Sequence, residues 1–355
     1  MTSVVAQCRF LGFKPPGICR LPKMTTQPSR YAWSGIWLRA FACCVLLSAC
    51  SAPPQLPLRV GVNPWVGYDP LVLARESRAL DAGEVRVVEL ESSAESARQL
   101  RNGLLEAAGL TLVEAVELVS AGVDLKVIGL LSLSKGADAV VARPDLKSPA
   151  ALRGMRLGME NSALADIMLQ HLIEAGGLRR EDLEVVTMAV VEHEAALRRG
   201  QVDAVITFEP VLSRLEAAGF NVVLDTSRMP GEIVDVLVIR ADALAARPRQ
   251  ARAMLEAFEQ GRLALLARPQ EAARMLAAGT DLNAAEYMKA LGRLHLFSLE
   301  ESATLLRQAP DAPVLALQRL ADDMQASRRV ATPPDWRKLF DAGVSDGMVA
   351  AGLTR

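Results

Sequence analysis

Residues 58–80 read LRVGVNPWVGYDPLVLARESRAL. The first five, Leu58-Arg59-Val60-Gly61-Val62, form a short apolar run that predicts a buried strand. Asn63-Pro64 is a turn signal. Trp65 and Tyr68 follow on a loop that contains Gly67. Asp69-Pro70 predicts a helix start, with Asp69 as cap and Pro70 at the first helical position. The unit is strand, aromatic loop, helix N-terminus. In an open α/β sheet such a loop lies at the carboxyl end of a strand, where ligands bind. Trp65 and Tyr68 there would supply flat apolar walls and two polar tips.

The same pattern repeats toward the C-terminus. A Val-rich strand is predicted over 84–90. Ser92-Ser93-Ala94-Glu95 is a capping-box sequence that opens a helix, and Thr111-Leu112-Val113-Glu114 is a second one. Strand followed by capped helix, several times over, implies a largely parallel, doubly wound sheet. Ser134-Lys135-Gly136-Ala137-Asp138 breaks the run, and residues 139–143 read as a strand leading away. Further strands are predicted over 155–159, 184–188, 202–207 and 221–224. Asn161-Ser162 and Glu209-Pro210 open helices between them. The apolar run Val234–Ile239 returns to the first lobe. Beyond Ala241 the chain reads as helices punctuated by Pro248, Pro269 and Pro310, with no strand alternation. The predicted fold is α/β with two doubly wound lobes joined by two hinge strands. Residues 58–141 and 235–355 form lobe 1 with a C-terminal helical layer, and 142–234 form lobe 2.

The 355-residue chain carries a formal net charge of -1. Arg9, Lys14, Arg20, Lys23, Arg30 and Arg39 precede Cys50, and no Asp or Glu does, so the body is more acidic than that figure. An acidic body argues against a nucleic-acid partner. All five cysteines lie at or before Cys50, so the body can form no disulfide or thiolate metal site. Arg39, the apolar run 40–47 and the small residues Ser48-Ala49 make a secretory signal. The run is shorter than the ~20 apolar residues that span a bilayer. Leu47-Ser48-Ala49-Cys50 resembles the bacterial lipoprotein box, whose cysteine is acylated. That resemblance implies a signal peptide over 1–49 with an extended n-region; Met24 would begin a signal of ordinary length. It also implies lipidation at Cys50 and a Pro-containing tether over 50–57. Ser51 is not Asp, so the inner-membrane retention signal of such lipoproteins is absent.

No catalytic motif is present: neither a G-x-S-x-G elbow, a phosphate-binding G-x-x-x-x-G-K-[ST] loop nor an H-E-x-x-H pair. His171 between Leu169 and Leu172 reads as packing, His193 in Glu192-His193-Glu194 as a solvated turn or helix start, and His295 as one of an apolar cluster. No catalytic residue, metal site or cofactor is expected. Binding is better served. Helices starting near Asp69, Ser92, Thr111, Ser162 and Glu209 would point their free N–H groups at a cleft between the lobes. Ser92, Thr111, Asn161 and Ser162 add side-chain donors and acceptors. Asp138 and Asp235, one at each crossing, are expected as hinge or cleft hydrogen-bonders.

Five ordered stretches resemble one family: Asn63–Tyr68, Gly109–Ala115, Ser134–Asp138, Val202–Pro210 and Ile233–Val238. They are similar to the solute-binding lipoproteins of ABC importers of the nitrate, sulfonate and taurine type, which include binders of thiamine pyrimidine precursors. The resemblance implies a type II periplasmic-binding-protein fold and a monomer that captures a small polar or anionic solute by lobe closure. It implies an ABC permease and its ATPase as partners, on the periplasmic side of a bacterial membrane. By position, Trp65, Tyr68, Thr111, Ser134, Asn161 and Glu209 fall where such proteins line the cleft. Glu106 and Lys135 depart from the pattern, the first where Asp is commoner, the second where a small amide is expected. The rival readings are an enzyme on the same fold, of pyrimidine-synthase or dehydratase type, and a ligand-sensing lipoprotein.

Overall fold

The computed structural model describes residues 56–352, apart from 230, 278–279, 310 and 313–314. The expected signal peptide, Cys50 and most of the tether lie outside the described residues. The chain opens with β1 (Leu58–Val62), the aromatic loop and α1 (Asp69–Glu76). It continues through β2 (Val85–Glu89), α2 (Ser93–Arg101), β3 (Ala107–Thr111), α3 (Leu112–Ser120) and β4 (Leu125–Ser134). A second series follows: β5 (Asp138–Ala142), β6 (Arg156–Met159), α4 (Ala163–Gly176), β7 (Glu184–Thr187), α5 (Val190–Arg198), β8 (Ala204–Phe208), α6 (Val211–Ala217) and β9 (Asn221–Asp225). β10 (Val234–Arg240) returns to the first series. Then come α7 (Ala241–Ala246), α8 (Pro248–Ala267), α9 (Pro269–Ala277), α10 (Ala284–Leu291), β11 (Leu294–Leu296), α11 (Leu299–Gln308), α12 (Leu317–Ala326), α13 (Trp336–Leu339) and α14 (Gly343–Ala350).

Two sheets result, in the orders β11-β4-β10-β3-β1-β2 and β7-β6-β8-β5-β9. β1 pairs in parallel with β2 and β3, and β6 with β7 and β8. The sheets are nonetheless mixed. β10 runs antiparallel to β3 and β4, and β5 runs antiparallel to β8 and β9. The cause is the double crossing. A strand arriving from the other lobe enters at the cleft, where the parallel strands finish, so it must run against them. Asp138 at the start of β5 thus faces Phe208 at the end of β8, and Asp235 faces Thr111 at the end of β3.

Three expectations need correction. β5 lies wholly in the second sheet, so the first lobe stops short of Asp138 instead of reaching 141; residues 135–137 make the crossing. The helical tail does contain a strand: β11 pairs antiparallel with residues 132–134 of β4. Three half-buried residues are too few to show alternation, and the pairing is made over more than 150 positions of sequence. Finally, Asp69 is not the cap of α1. Tyr68 holds that position without a side-chain cap bond, and the Asp69 carboxylate accepts from the Tyr287 hydroxyl on α10.

Burial explains why the strands read as apolar runs. β3 and β5 are buried along their whole lengths, as expected for strands covered on both faces. Each fully buried Leu, such as Leu58, Leu71, Leu100 or Leu110, contributes on the order of 1.5–3 kcal/mol. Helix α8 covers α1 at backbone contact: a Cβ on Gly261 would stand 1.9 Å from the Pro70 carbonyl oxygen. This clamp holds the first turn of α1, and with it the aromatic loop, against the sheet. Among the described residues no helix is long and apolar enough to cross a membrane.

Candidate functional site

The aromatic loop is fastened to the start of β10. Trp65 Nε1 donates to Asp235 Oδ2 at 2.8 Å and the Tyr68 hydroxyl donates to Asp235 Oδ1 at 3.3 Å. Ser132 on β4 also donates to Asp235 Oδ2. Gly67 permits this convergence, since a Cβ there would lie 2.4 Å from both Ser132 Oγ and Trp65 Nε1. Both rings are buried, with exposures of 6% for Trp65 and 2% for Tyr68. Their polar tips therefore serve Asp235, and their ring edges remain for contact. The Trp65 ring meets Phe208 of β8 edge-on, with centroids 5.6 Å apart, joining the two sheets across the cleft.

Glu114 forms the next node. It closes the α3 capping box: the Thr111 amide and hydroxyl donate to Oε2 at 2.9 and 2.8 Å. Ser93, in the first turn of α2, donates to Oε1 at 2.5 Å. The cavity bounded by these groups is also lined by Asn63, Asp138, Leu164 and Phe208. It measures about 20 Å³, room for about one water. Two atoms of its lining are buried and unpartnered: Asp138 Oδ2 and Asn63 Oδ1.

Carboxylates dominate the electrostatics. Burial pushes Asp138 up to about 8 against the pull of a hydrogen bond from Ser134, and the charges of Asp235, Glu209 and Glu114 add to the shift. Burial lifts Asp235 to about 7 against the pull of its Ser132 and Trp65 hydrogen bonds. Glu160, in an adjoining pocket that also touches Asp138, rises to about 7 by burial, aided by Glu114. Glu114 is raised by burial as well. Tyr68 is pushed well above the usual phenol value, by burial first and Asp235 second.

A larger chamber of 390 Å³ lies outside this cavity and shares Glu114 with it. Asn161, Ser162, Arg98, Arg101 and Arg329 line it. Arg329 bridges the two series of elements: it bonds Glu117 on α3 at 3.1 Å, Asp166 on α4 at 2.6 Å and Asn161 Oδ1 at 3.1 Å.

The expected site residues thus divide. Trp65, Tyr68, Thr111, Asp138 and Asp235 line the inner cavity. Asn161 and Ser162 line the outer chamber, and Ser162 also caps α4 through the Ala165 amide. Ser92 caps α2 through the Glu95 amide, and it is the adjacent Ser93 that lines the cavity. Ser134 Oγ lies 2.6 Å from Thr226 Oγ1 and fastens the crossing. Glu209 is fully buried under Arg293, which donates at 2.8 Å, and under Ser213. Glu106, the departure from the family pattern, is held by Arg59. Lining residues missed from sequence are Asn63, Ser93, Glu114, Leu164 and Phe208. The signal for Glu114 was present in its capping box: an acidic N3 residue at a helix start beside the cleft brings a carboxylate to that wall.

The histidines differ from expectation in one case. His193 is not solvated but fully buried on α5, and burial lowers it to about 4. With Ala196 and Leu197 it makes the i, i+3, i+4 inner face of that helix. His171 Nε2 lies 2.5 Å from Glu232, with Asp323 close by. Among the described residues this is the group with metal-ligand spacing, and Arg319 already lies on both carboxylates.

Two mixed sheets, crossed twice by the chain and closing on a shared cavity, are the type II periplasmic-binding-protein fold. The chain belongs to the NMT1-like family, whose model matches residues 51–279. It is similar in structure to the alkanesulfonate-binding protein SsuA from Xanthomonas axonopodis pv. citri, with TM-score 0.67 and 20% identity over 82% of this chain and 99% of that one. It is likewise similar to the periplasmic aliphatic sulphonate binding protein SsuA from Escherichia coli, with TM-score 0.66 and 19% identity over 82% and 92%. The desulfurization enzyme DSZB has the same fold, with TM-score 0.63 and 18% identity over 84% and 100%. Among curated proteins none matches the chain in sequence.

Proposed function

We propose that the protein is the solute-binding component of an ABC importer. Its lobes would part at the crossings, admit a small polar solute, close over it, and offer it to a permease driven by an ATPase. The observation that supports this reading is the cavity between the sheets, walled by Trp65, Tyr68 and Phe208 and bridged by the Trp65–Phe208 ring contact. Asp138 and Asp235 stand at the two points where the chain crosses, so motion there is coupled to cavity shape. Acylation at Cys50 would tether the protein on the periplasmic side of a bacterial membrane, with residues 51–57 as leash.

The fold alone does not separate binding from catalysis, since DSZB is an enzyme. Thermal unfolding and small-angle scattering with a panel of small solutes test the reading. A solute at 100 times its Kd stabilises by about 2.7 kcal/mol, with a smaller radius of gyration on closure. Product formation from a panel member would make the protein an enzyme instead. Cys50→Ala should abolish palmitate labelling and membrane association; labelling that persists removes the anchor.

A further inference from the structure

Resting on the solute-binding reading, we infer that the inner cavity takes a small cation rich in N–H donors, of amine or amidine type, and not an anion. The inference follows from counting donors and acceptors at the cavity wall. The side-chain donors contributed by Trp65, Tyr68, Ser93 and Thr111 are spent on Asp235 or Glu114. The buried unpartnered side-chain atoms there are Asp138 Oδ2 and Asn63 Oδ1, on residues 97% and 93% buried, and both are acceptors once Asp138 is ionised. In the adjoining pocket, Thr207 Oγ1 is also unpartnered and serves either role. A buried acceptor without a donor is destabilising, so the closed wall favours a ligand that brings donors. A sulfonate or nitrate brings acceptors only.

Charge points the same way. No Lys or Arg lines the inner cavity or its adjoining pocket, whereas Asp138, Asp235, Glu114 and Glu160 do. The nearby arginines are committed: Arg293 to Glu209 and Glu216, Arg329 to Glu117 and Asp166. Three of the helix N-termini that face the cleft, those of α2, α3 and α4, are also answered from within. Ser92 caps α2, while the Glu114 carboxylate reaches the first turn of α2 through Ser93 and caps α3 through Thr111. Ser162 caps α4, and Asp166 in its first turn holds Arg329. At about 20 Å³ the closed cavity holds no such ligand, so Leu164 and Phe208 on the second lobe must retreat to admit it.

The test uses matched probes on the full-length protein: benzamidine against benzenesulfonate, and methylguanidinium against methanesulfonate, each followed by thermal unfolding and scattering. The expected result is a raised Tm and a compacted protein with the cations alone. Asp138→Asn should weaken cation binding at least tenfold, and Arg101→Ala, in the outer chamber, should leave it unchanged. Should the Asn variant not fold, pH dependence on the natural protein decides. Asp138 faces Asp235 on β10, Glu114 on α3, Glu209 with its Arg293, Glu160 before α4, and Tyr68. Apart from Arg293, all these neighbours are acids, so a bound cation displaces protons. Its affinity should rise with pH up to about 8, by up to tenfold per unit for each proton displaced. Affinity that is flat or falls with pH overturns the inference. Stabilisation by the sulfonates and not the cations overturns it too, yet leaves the solute-binding reading standing. No response to any probe, nor to a wider panel of amines and anions, removes both.

Discussion

Replacing Asp138 by Asn tests the electrostatics of the cavity directly. Burial and three neighbouring carboxylates lift the folded-state value of Asp138 from 3.8 to about 8. Between those two values the folded protein holds a proton that the unfolded chain has released. Stability from this group is therefore complete below about pH 4 and is lost as pH rises toward 8. One proton difference corresponds to about 1.4 kcal/mol per pH unit. From pH 5 to pH 7 the natural protein should lose about 2–3 kcal/mol through this residue. Asn has the same shape and never ionises. The variant should match the natural protein near pH 4, and its advantage should widen by roughly that amount between pH 5 and pH 7, less whatever relaxation or water entry relieves. The assay is urea unfolding, without added solute, at half-unit steps from pH 5 to 8, read from tryptophan fluorescence. Asp235 and Glu160, which titrate near 7, remain in both proteins and leave a shared slope. Two curves separated by a constant amount across the range would refute the account: Asp138 would then titrate as an ordinary carboxylate.

Gly261→Ala places a methyl 1.9 Å from the Pro70 carbonyl and forces α8 off α1. Overpacking of this kind costs about 1–3 kcal/mol, so urea midpoints should fall; an unchanged midpoint means that the helices do not meet at backbone contact. Arg329→Ala leaves Glu117 and Asp166 without their shared partner at the mouth of the cleft. The unliganded protein should then scatter as a larger particle and release solute faster, and an unaltered curve would deny Arg329 a role in closure.

Much of the architecture was legible because it is written locally. The βα alternation shows in apolar runs and capping residues, and Ser92, Thr111 and Ser162 each cap the helix that their spacing announces. The aromatic loop was marked by Asn63-Pro64 and Gly67 before any contact was known. β11 was hidden because three residues carry no period, and His193 because flanking glutamates suggested exposure where helical phase buries it. Ser134 and Glu209 read as ligand contacts, yet each is already bonded within the protein.

The residue pattern alone determined that this is a two-lobed α/β protein with an aromatic loop at a strand end, because propensity, capping and burial period act over a few neighbouring positions. Only the tertiary structure decided what that loop does. Trp65 and Tyr68 are joined to Asp235 across some 170 positions of sequence, and hydrogen-bond capacity spent on such a partner is invisible until the strands are paired. The polarity of the cavity is accordingly a property of the fold: it is set by which donors the protein has already used and which acceptors it leaves buried and free.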